Sequence, residues 1–388
     1  MSSLYVNVEG RKSGKLSIEN GEVIFSYSSE EREDYISLTM PVRQKSYIHS
    51  QLHPFFEMHL PEGYLLSIIK KHFSKFHKTD DFGLLQLMAS SIKGRVTFRA
   101  ERETEREYFT LDNLLHSKDE NLFEELVSRF ALRSSLSGVQ PKVLAEIQDR
   151  ATLKLEGYIV KSWGEEYPQL ALNEYYCMRV VEDAKVKVPE FYISDDEKLF
   201  IMKRFDIVDG RVFGFEDMCV LQAKQRDDKY EGSYEQVAKS IKTFVSARYK
   251  KEALIQFFKM IVINNMVQNG DAHLKNFGLV YEDIEHIDIA PAYDVVSTTV
   301  YIERDIPALH LLGSKKWFSK KLLLKFGRES CDLTPKEAEK YYDDCSLSLE
   351  KNIRLIEDRL SIESDSSKRE LLIKLLEKFT YMSSRDDA

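Results

Sequence analysis

The chain of 388 residues has four cysteines, Cys177, Cys219, Cys331 and Cys345, and no Cys-x-x-Cys pair. That scatter suggests neither a zinc site nor a disulfide framework, and reduced, mostly buried thiols are expected. No apolar run approaches the roughly 18 residues that a membrane span needs. The first residues, MSSLYVNVEGRKSGKL, lack the basic-then-apolar order of a secretory signal. The cytoplasm is therefore the expected compartment, with no membrane contact. Positive charge is also short, with 56 Lys and Arg against 64 Asp and Glu for a net charge of −8. A chain that grips DNA unaided usually shows a basic face, so autonomous DNA binding is not expected. Clusters such as Lys315–Lys316 and Lys320–Lys321 read as solvated faces. Repeats and low-complexity tracts are missing as well. What remains is an ordinary globular composition, 43% hydrophobic and 31% charged, long enough for two or three packed units.

The most informative stretch is NNMVQNGDAHLKNFGLVYEDIEHIDIAPAYDVVS, ending at Ser297. An apolar helix from about Lys251 to Val267 leads into it, with Phe257, Phe258, Ile261 and Met266 on a recurring face. Asn269 and Gly270 are placed to stop that helix. Asp271, His273, Lys275 and Asn276 follow at once. A hairpin then reads as Phe277–Tyr281 and His286–Ile289, and delivers Asp294, 23 residues beyond Asp271. Phosphoryl transfer needs a carboxylate near the attacking hydroxyl, and an Asn with a second Asp to hold Mg²⁺ against nucleotide phosphates. Asp271 and Asn276 have the Asp-x-x-x-x-Asn spacing of protein kinases, and Asp294 follows the hairpin as the second metal Asp does there. A plain helix C-cap loop with solvated polar residues is the competing reading of the loop alone.

Upstream, residues 1–30 alternate as strands, with Asn20–Gly21 as a hairpin turn, and Ile36, Leu38 and Met40 continue the strand pattern. A helix is expected from about Glu62, another capped by Thr79 or Asp80 through Met88, and a strand over Val96–Arg99. Leu111–Leu132 contains a charged helix. LRSSLSGVQPKVLAEI then offers small hydroxylated residues and one glycine ahead of a strand over Val143–Ile147. Such a segment can bring backbone N–H groups to phosphate oxygens, although any hairpin can look the same. The strand Gly157–Ser162 carries Lys161 after three apolar or aromatic residues, as a phosphate-contacting lysine or a surface one. The helix Asn173–Asp183 places Glu174 to pair with Lys161, as a helix glutamate does in kinases. Strands follow over Val188–Tyr192 and Leu199–Phe205, with a turn at Asp206–Gly210. Beyond Tyr234 the chain is mainly helical, with helices expected over Ser233–Ala247, Lys316–Phe326, Pro335–Ile362 and Ser367–Phe379. Thr334, Pro335 and Glu337 mark the start of the longest, and the last residues read as a frayed tail.

NGDAHLKN followed by APAYDVVS, with SLSGVQPK upstream and MPVR and PFFEMHLPEG near the start, resembles the HipA family of serine/threonine kinase toxins. The resemblance implies an α+β, bilobal protein-kinase-like fold with a small N-terminal α+β subdomain, a mixed β-rich N-lobe and a helical C-lobe. Its units would be residues 1–105, 106–218 and 219–388. It implies a phosphate-covering loop in which Ser135, Gly138, Gln140 and Lys142 match Ser-x-x-Gly-x-Gln-x-Lys, with Ser137, Val139 and Gln140 over the phosphates. Ser135 occupies the position of the family's autophosphorylated serine, and Ser137 matches the second serine of its Ser-x-Ser branch. Pro141 departs from the charged residue more usual there. GFEDMCVLQ is similar to the family's hinge, which would put Glu216 and Met218 at the adenine edge. Asp271 would be the base, Asn276 and Asp294 the Mg²⁺ ligands, and Lys161 the partner of the ATP phosphates. His273 is placed to orient the loop or to pack as a structural residue, and Lys275 to meet the γ-phosphate or solvent. The resemblance further implies a translation component, such as an aminoacyl-tRNA synthetase, as protein substrate. It also implies a helix-turn-helix antitoxin of HipB type, through which DNA would be met indirectly.

Two other classes fit the residues. One is a small-molecule phosphotransferase of the aminoglycoside or choline kinase type, which shares the Asp–Asn–Asp logic. The other is a non-catalytic scaffold or corepressor on a kinase fold.

Overall fold

The computed structural model describes residues 3–60, 80–89, 92–99, 115–116, 151–154, 157–162, 164 and 166–385. The helix expected from Glu62, the strand Val143–Ile147 and all of Leu111–Leu132 except residues 115 and 116 lie outside the described residues. The fold is α+β.

The first sheet contains β1 (Ser3–Val8), β2 (Arg11–Glu19), β3 (Glu22–Tyr27), β4 (Tyr47–His49) and β5 (Val96–Arg99), ordered β4-β3-β2-β1-β5 with antiparallel neighbours. Asn20 and Gly21 both take positive φ, 51° and 84°, the pair that a tight two-residue hairpin demands. Leu4, Val6 and Val8 point inward with Phe55 and Phe56 of α1 (Pro54–Glu57) and Leu84 and Leu85 of α2 (Asp81–Met88). Asp80 caps α2 by accepting from the Gly83 N–H at 2.8 Å, as its sequence position suggests. The Ile36–Met40 strand does not form. The chain turns there, with only a Ser37–Met40 bridge, because the Ser37 hydroxyl and Leu38 N–H donate to the Glu216 carboxylate.

A second antiparallel sheet, ordered β6-β7-β9-β8, holds β6 (Ala151–Lys154), β7 (Tyr158–Ser162), β8 (Phe191–Ile193) and β9 (Phe200–Lys203). Both of its faces are covered. Val160 and Ile201 join the core of the first sheet, whereas Phe200 and Met202 join the larger core with α3 (Leu170–Asp183). Because successive strand residues face opposite ways, Lys161 shares the face of Ile159 and is aimed at α3. That helix starts three residues before the expected Asn173, behind Gln169 at φ 60°.

A small hairpin, β10 (Ile207–Val208) and β11 (Arg211–Val212), leads to β12 (Gly214–Asp217) and α4 (Met218–Leu221). β12 pairs with β13 (Gly278–Tyr281), which pairs with β14 (Ile287–Ile289). Around them lie α5 (Tyr234–Phe244), α6 (Lys250–Met266), α7 (Lys320–Ser330), α8 (Pro335–Ile362) and α9 (Ser366–Arg385). In α6 every residue from Ala253 to Met266 is buried, so it is a central helix rather than a one-faced one. Most of its polar side chains find partners inside, although the Gln256 amide nitrogen has none among the described residues. Lys259 donates to the Ala184 carbonyl and meets Asp344 at 3.1 Å, and Asn265 bonds both the N–H and C=O of Phe318. α8 has the bounds its sequence suggests, opened by a capping box between Thr334 and Glu337. α9 instead runs six residues past Phe379, into the expected tail. Among the described residues no helix is long and apolar enough to cross a membrane.

Candidate active site

The end of α6 sets the geometry of the loop that follows. Gln268, at φ 55°, supplies the left-handed residue, its N–H bonding to Asn265 O and that of Asn269 to Asn264 O at 2.8 Å. This is a Schellman ending. The helix therefore stops one residue earlier than Asn269–Gly270 suggested, and the Asn269 side chain is left to organise the loop. Its oxygen accepts from the Asp271 N–H at 3.1 Å, and its amide donates to Asn264 Oδ1 at 2.7 Å and to the Asp294 carbonyl at 3.3 Å. Gly270 is needed for space, since a Cβ there would lie 1.9 Å from the Asp305 carboxylate.

Asp271 is half exposed, and its Oδ1 accepts from the Tyr230 hydroxyl at 2.7 Å. His273 is buried, with Nε2 4.0 Å from the same oxygen. The His273 N–H donates to Asn276 Oδ1 at 3.0 Å across the turn Leu274–Asn276. The Asn276 amide reaches Asp294 Oδ2 at 3.5 Å. Asp294, brought back by the β13–β14 hairpin, has φ 57°, an unusual backbone state for a non-glycine residue. Asp271, Asn276 and Asp294 are thus gathered by two asparagine side chains.

Lys161 joins this group from the second sheet. Its ammonium contacts both Asp294 Oδ1 and Glu174 Oε1, the latter at 2.7 Å. Glu174 is fully buried. Burial pushes its carboxyl upward and the Lys161 charge pulls it back. The neighbouring Asn173 clamps the backbone of Ser297, donating to its C=O and accepting from its N–H, both at 2.9 Å. α3 therefore fixes Lys161 and the segment after Asp294 together.

Other expectations fare differently. Lys275 pairs with the buried Asp217 at 3.1 Å, and Asp217 in turn caps α4 at Val220 N. Glu216 and Met218 have no exposed surface. The Glu216 carboxylate is taken by Ser37, Leu38 N and Tyr281, and the Met218 N–H donates to Phe277 O at 3.0 Å. These bonds tie β12 and the start of α4 to their neighbours. Ser135, Ser137, Gly138, Val139, Gln140 and Lys142 lie outside the described residues.

Asn276 and Asp294 present an amide oxygen and a carboxylate. This hard-oxygen pair suits Mg²⁺, which takes one or two carboxylates and completes its shell with water and phosphate oxygens. The Asn276 oxygen has a second lone pair beyond the one facing His273 N–H. Asn269, Asn173, Asp217 and Tyr230 escape a reading of the sequence. Asn269 and Asn173 do adjoin motif residues, whereas nothing marks Tyr230.

Family models for a HipA-like C-terminal domain and a HipA N-terminal domain match residues 134–353 and 4–99. A protein of Sinorhizobium fredii named "Putative kinase Y4dM" is 26% identical over 333 residues, spanning 77% of this chain and 78% of its own. One of Haemophilus influenzae, named "Putative kinase", is 32% identical over 188 residues, 44% of this chain and 54% of its own. A chain from the solved complex of the Shewanella oneidensis toxin–antitoxin system HipA, HipB and operator DNA has a TM-score of 0.70 at 16% identity, with 99% of both chains covered.

Proposed function

Because the chain belongs to the HipA-like family, we propose that it is an ATP-dependent serine/threonine protein kinase and the toxin of a toxin–antitoxin pair. The observation that carries this is the bridge from Lys161 to both Glu174 and Asp294, with Asn276 on the other Asp294 oxygen. In this reading Asp271 orients the acceptor hydroxyl and takes its proton as the oxygen attacks the γ-phosphorus and ADP departs. Lys161 offsets charge on the phosphate oxygens, and such positioning supplies most of the rate. Mg²⁺ held by Asn276 and Asp294 would supply charge neutralisation on the same oxygens.

We read residues 106–218 and 219–388 as the two lobes and 1–105 as an accessory unit. Ser135 and Ser137 would be self-phosphorylated, the added charge of about −1.5 to −2 competing with the nucleotide phosphates. A HipB-type helix-turn-helix protein is the proposed antitoxin and DNA contact, in keeping with this chain's acidity, and a translation component in the cytoplasm the proposed target. HipB in the complex of the similar fold supports that partner.

Intact-mass measurement after incubation with Mg-ATP tests the reading. The native protein should gain one or two phosphates, and Asp271→Asn none. A native protein that neither gains phosphate nor hydrolyses ATP would overturn it.

A further inference from the structure

Tyr230 is a half-exposed residue that no motif accounts for, yet it makes the one side-chain hydrogen bond described for the Asp271 carboxylate, at 2.7 Å to Oδ1. An exposed tyrosine meets an exposed acid by accident often enough, so what matters is whether this one is held there. Several contacts hold it. Its ring packs edge-to-face on that of His273, with centroids 5.1 Å apart. The carbonyl of Lys229, one residue before, accepts from the Leu274 N–H at 3.1 Å, which ties its turn to the loop after Asp271. At the other end of the turn the Arg226 N–H donates to Glu57 at 2.8 Å, and the Arg226 guanidinium holds Asp81 at 2.9 and 3.1 Å. Four residues on, the Tyr234 hydroxyl donates to the Ala272 carbonyl at 3.0 Å. Two tyrosine hydroxyls thus brace successive residues of the loop.

We infer that Tyr230 is the positioning residue for Asp271, pinning Oδ1 so that Oδ2 is presented to the acceptor hydroxyl. The inference rests on the kinase reading above and adds a residue to it. A carboxylate on a half-exposed loop would otherwise sample several rotamers. A hydroxyl donor on an anchored turn removes that freedom before the substrate arrives.

Tyr230→Phe keeps the ring and its contact with His273 while removing the donor. It should lower kcat about ten- to hundredfold, with the KM for Mg-ATP and the melting temperature unchanged. A second measurement is independent of turnover. In nucleotide-free protein carrying ¹³Cζ-labelled tyrosine, the Tyr230 resonance, assigned as the one lost in Tyr230→Phe, should move when Asp271 is replaced by Asn. If the native protein turns over and Tyr230→Phe matches its kcat, or if the resonance stays in place, this inference alone falls. If the native protein shows no turnover at all, the kinase reading falls and takes this one with it.

Discussion

Replacing Glu216 by Gln should flatten the pH dependence of stability. The Glu216 carboxyl is fully buried and receives Leu38 N–H and the Tyr281 hydroxyl on one oxygen, both at 2.7 Å, and the Ser37 hydroxyl on the other at 2.8 Å. Burial pushes it up to about 7 from an ordinary 4.5, with the three hydrogen bonds opposing and neighbouring Asp217 reinforcing the rise. Below pH 4.5 both folded and unfolded chains hold this proton. Between 4.5 and about 7 only the folded chain does, so raising the pH through that window removes stability. At 1.36 kcal/mol per pH unit the span corresponds to about 3 kcal/mol. Gln has nearly the same shape. Its oxygen can still accept from Leu38 and Tyr281, and its amide can donate to Ser37, whose hydroxyl accepts as well as donates. Urea unfolding at pH 5 and pH 8 measures the difference. The native protein should lose up to about 3 kcal/mol more than Glu216→Gln over that interval. Parallel losses in the two proteins would refute the argument. They would mean that Glu216 is ionised throughout, with its three donors outweighing burial.

Lys161→Met should act on stability and chemistry at once. It strands the buried Glu174 carboxylate, at a cost of about 3–5 kcal/mol, and should abolish phosphate transfer. The pair Lys161→Met with Glu174→Leu should recover most of the stability by urea titration but none of the transfer, and recovery of both would leave Lys161 without a chemical role. Gly270→Ala forces a Cβ to within 1.9 Å of an Asp305 oxygen. It should cost about 1–3 kcal/mol and slow transfer by shifting Asp271, whereas native stability in a thermal melt would show that Asp305 yields freely.

The parts legible in the sequence are those whose causes are local. Thr334 and Glu337 form a capping box around Pro335 within four residues, and α8 begins there. Asp271 and Asn276 lie in one loop, and the hairpin that returns Asp294 carries its own alternation. The illegible parts answer to distant partners. Ile36, Leu38 and Met40 alternate like a strand, but a carboxylate 178 residues away takes the Leu38 N–H and turns the chain. The same carboxylate also holds the Ser37 and Tyr281 hydroxyls. α6 shows an apolar face in sequence, and tertiary contacts with Ala184, Asp344 and Phe318 make Lys259 and Asn265 acceptable inside.

Lys161 sits between these two cases. Its place near the end of an apolar strand is local information, but the strand alone does not say which face it occupies. The parity does, once the neighbours are known. Val160 packs into the core of the N-terminal sheet, so Lys161 must turn toward α3. Covering one face of the second sheet with the first therefore does chemical as well as structural duty, because it dictates that the ammonium meets Glu174 and Asp294. α3 adds the second constraint. Asn173 and Glu174 are adjacent, one gripping the Ser297 backbone and the other Lys161. A shift of α3 along its axis would have to break both sets of contacts together, including a buried charge pair whose disruption alone costs several kcal/mol. The Asp294 carboxylate is consequently held by elements more than a hundred residues apart in sequence, and its geometry depends on α3 as directly as on the loop that bears it.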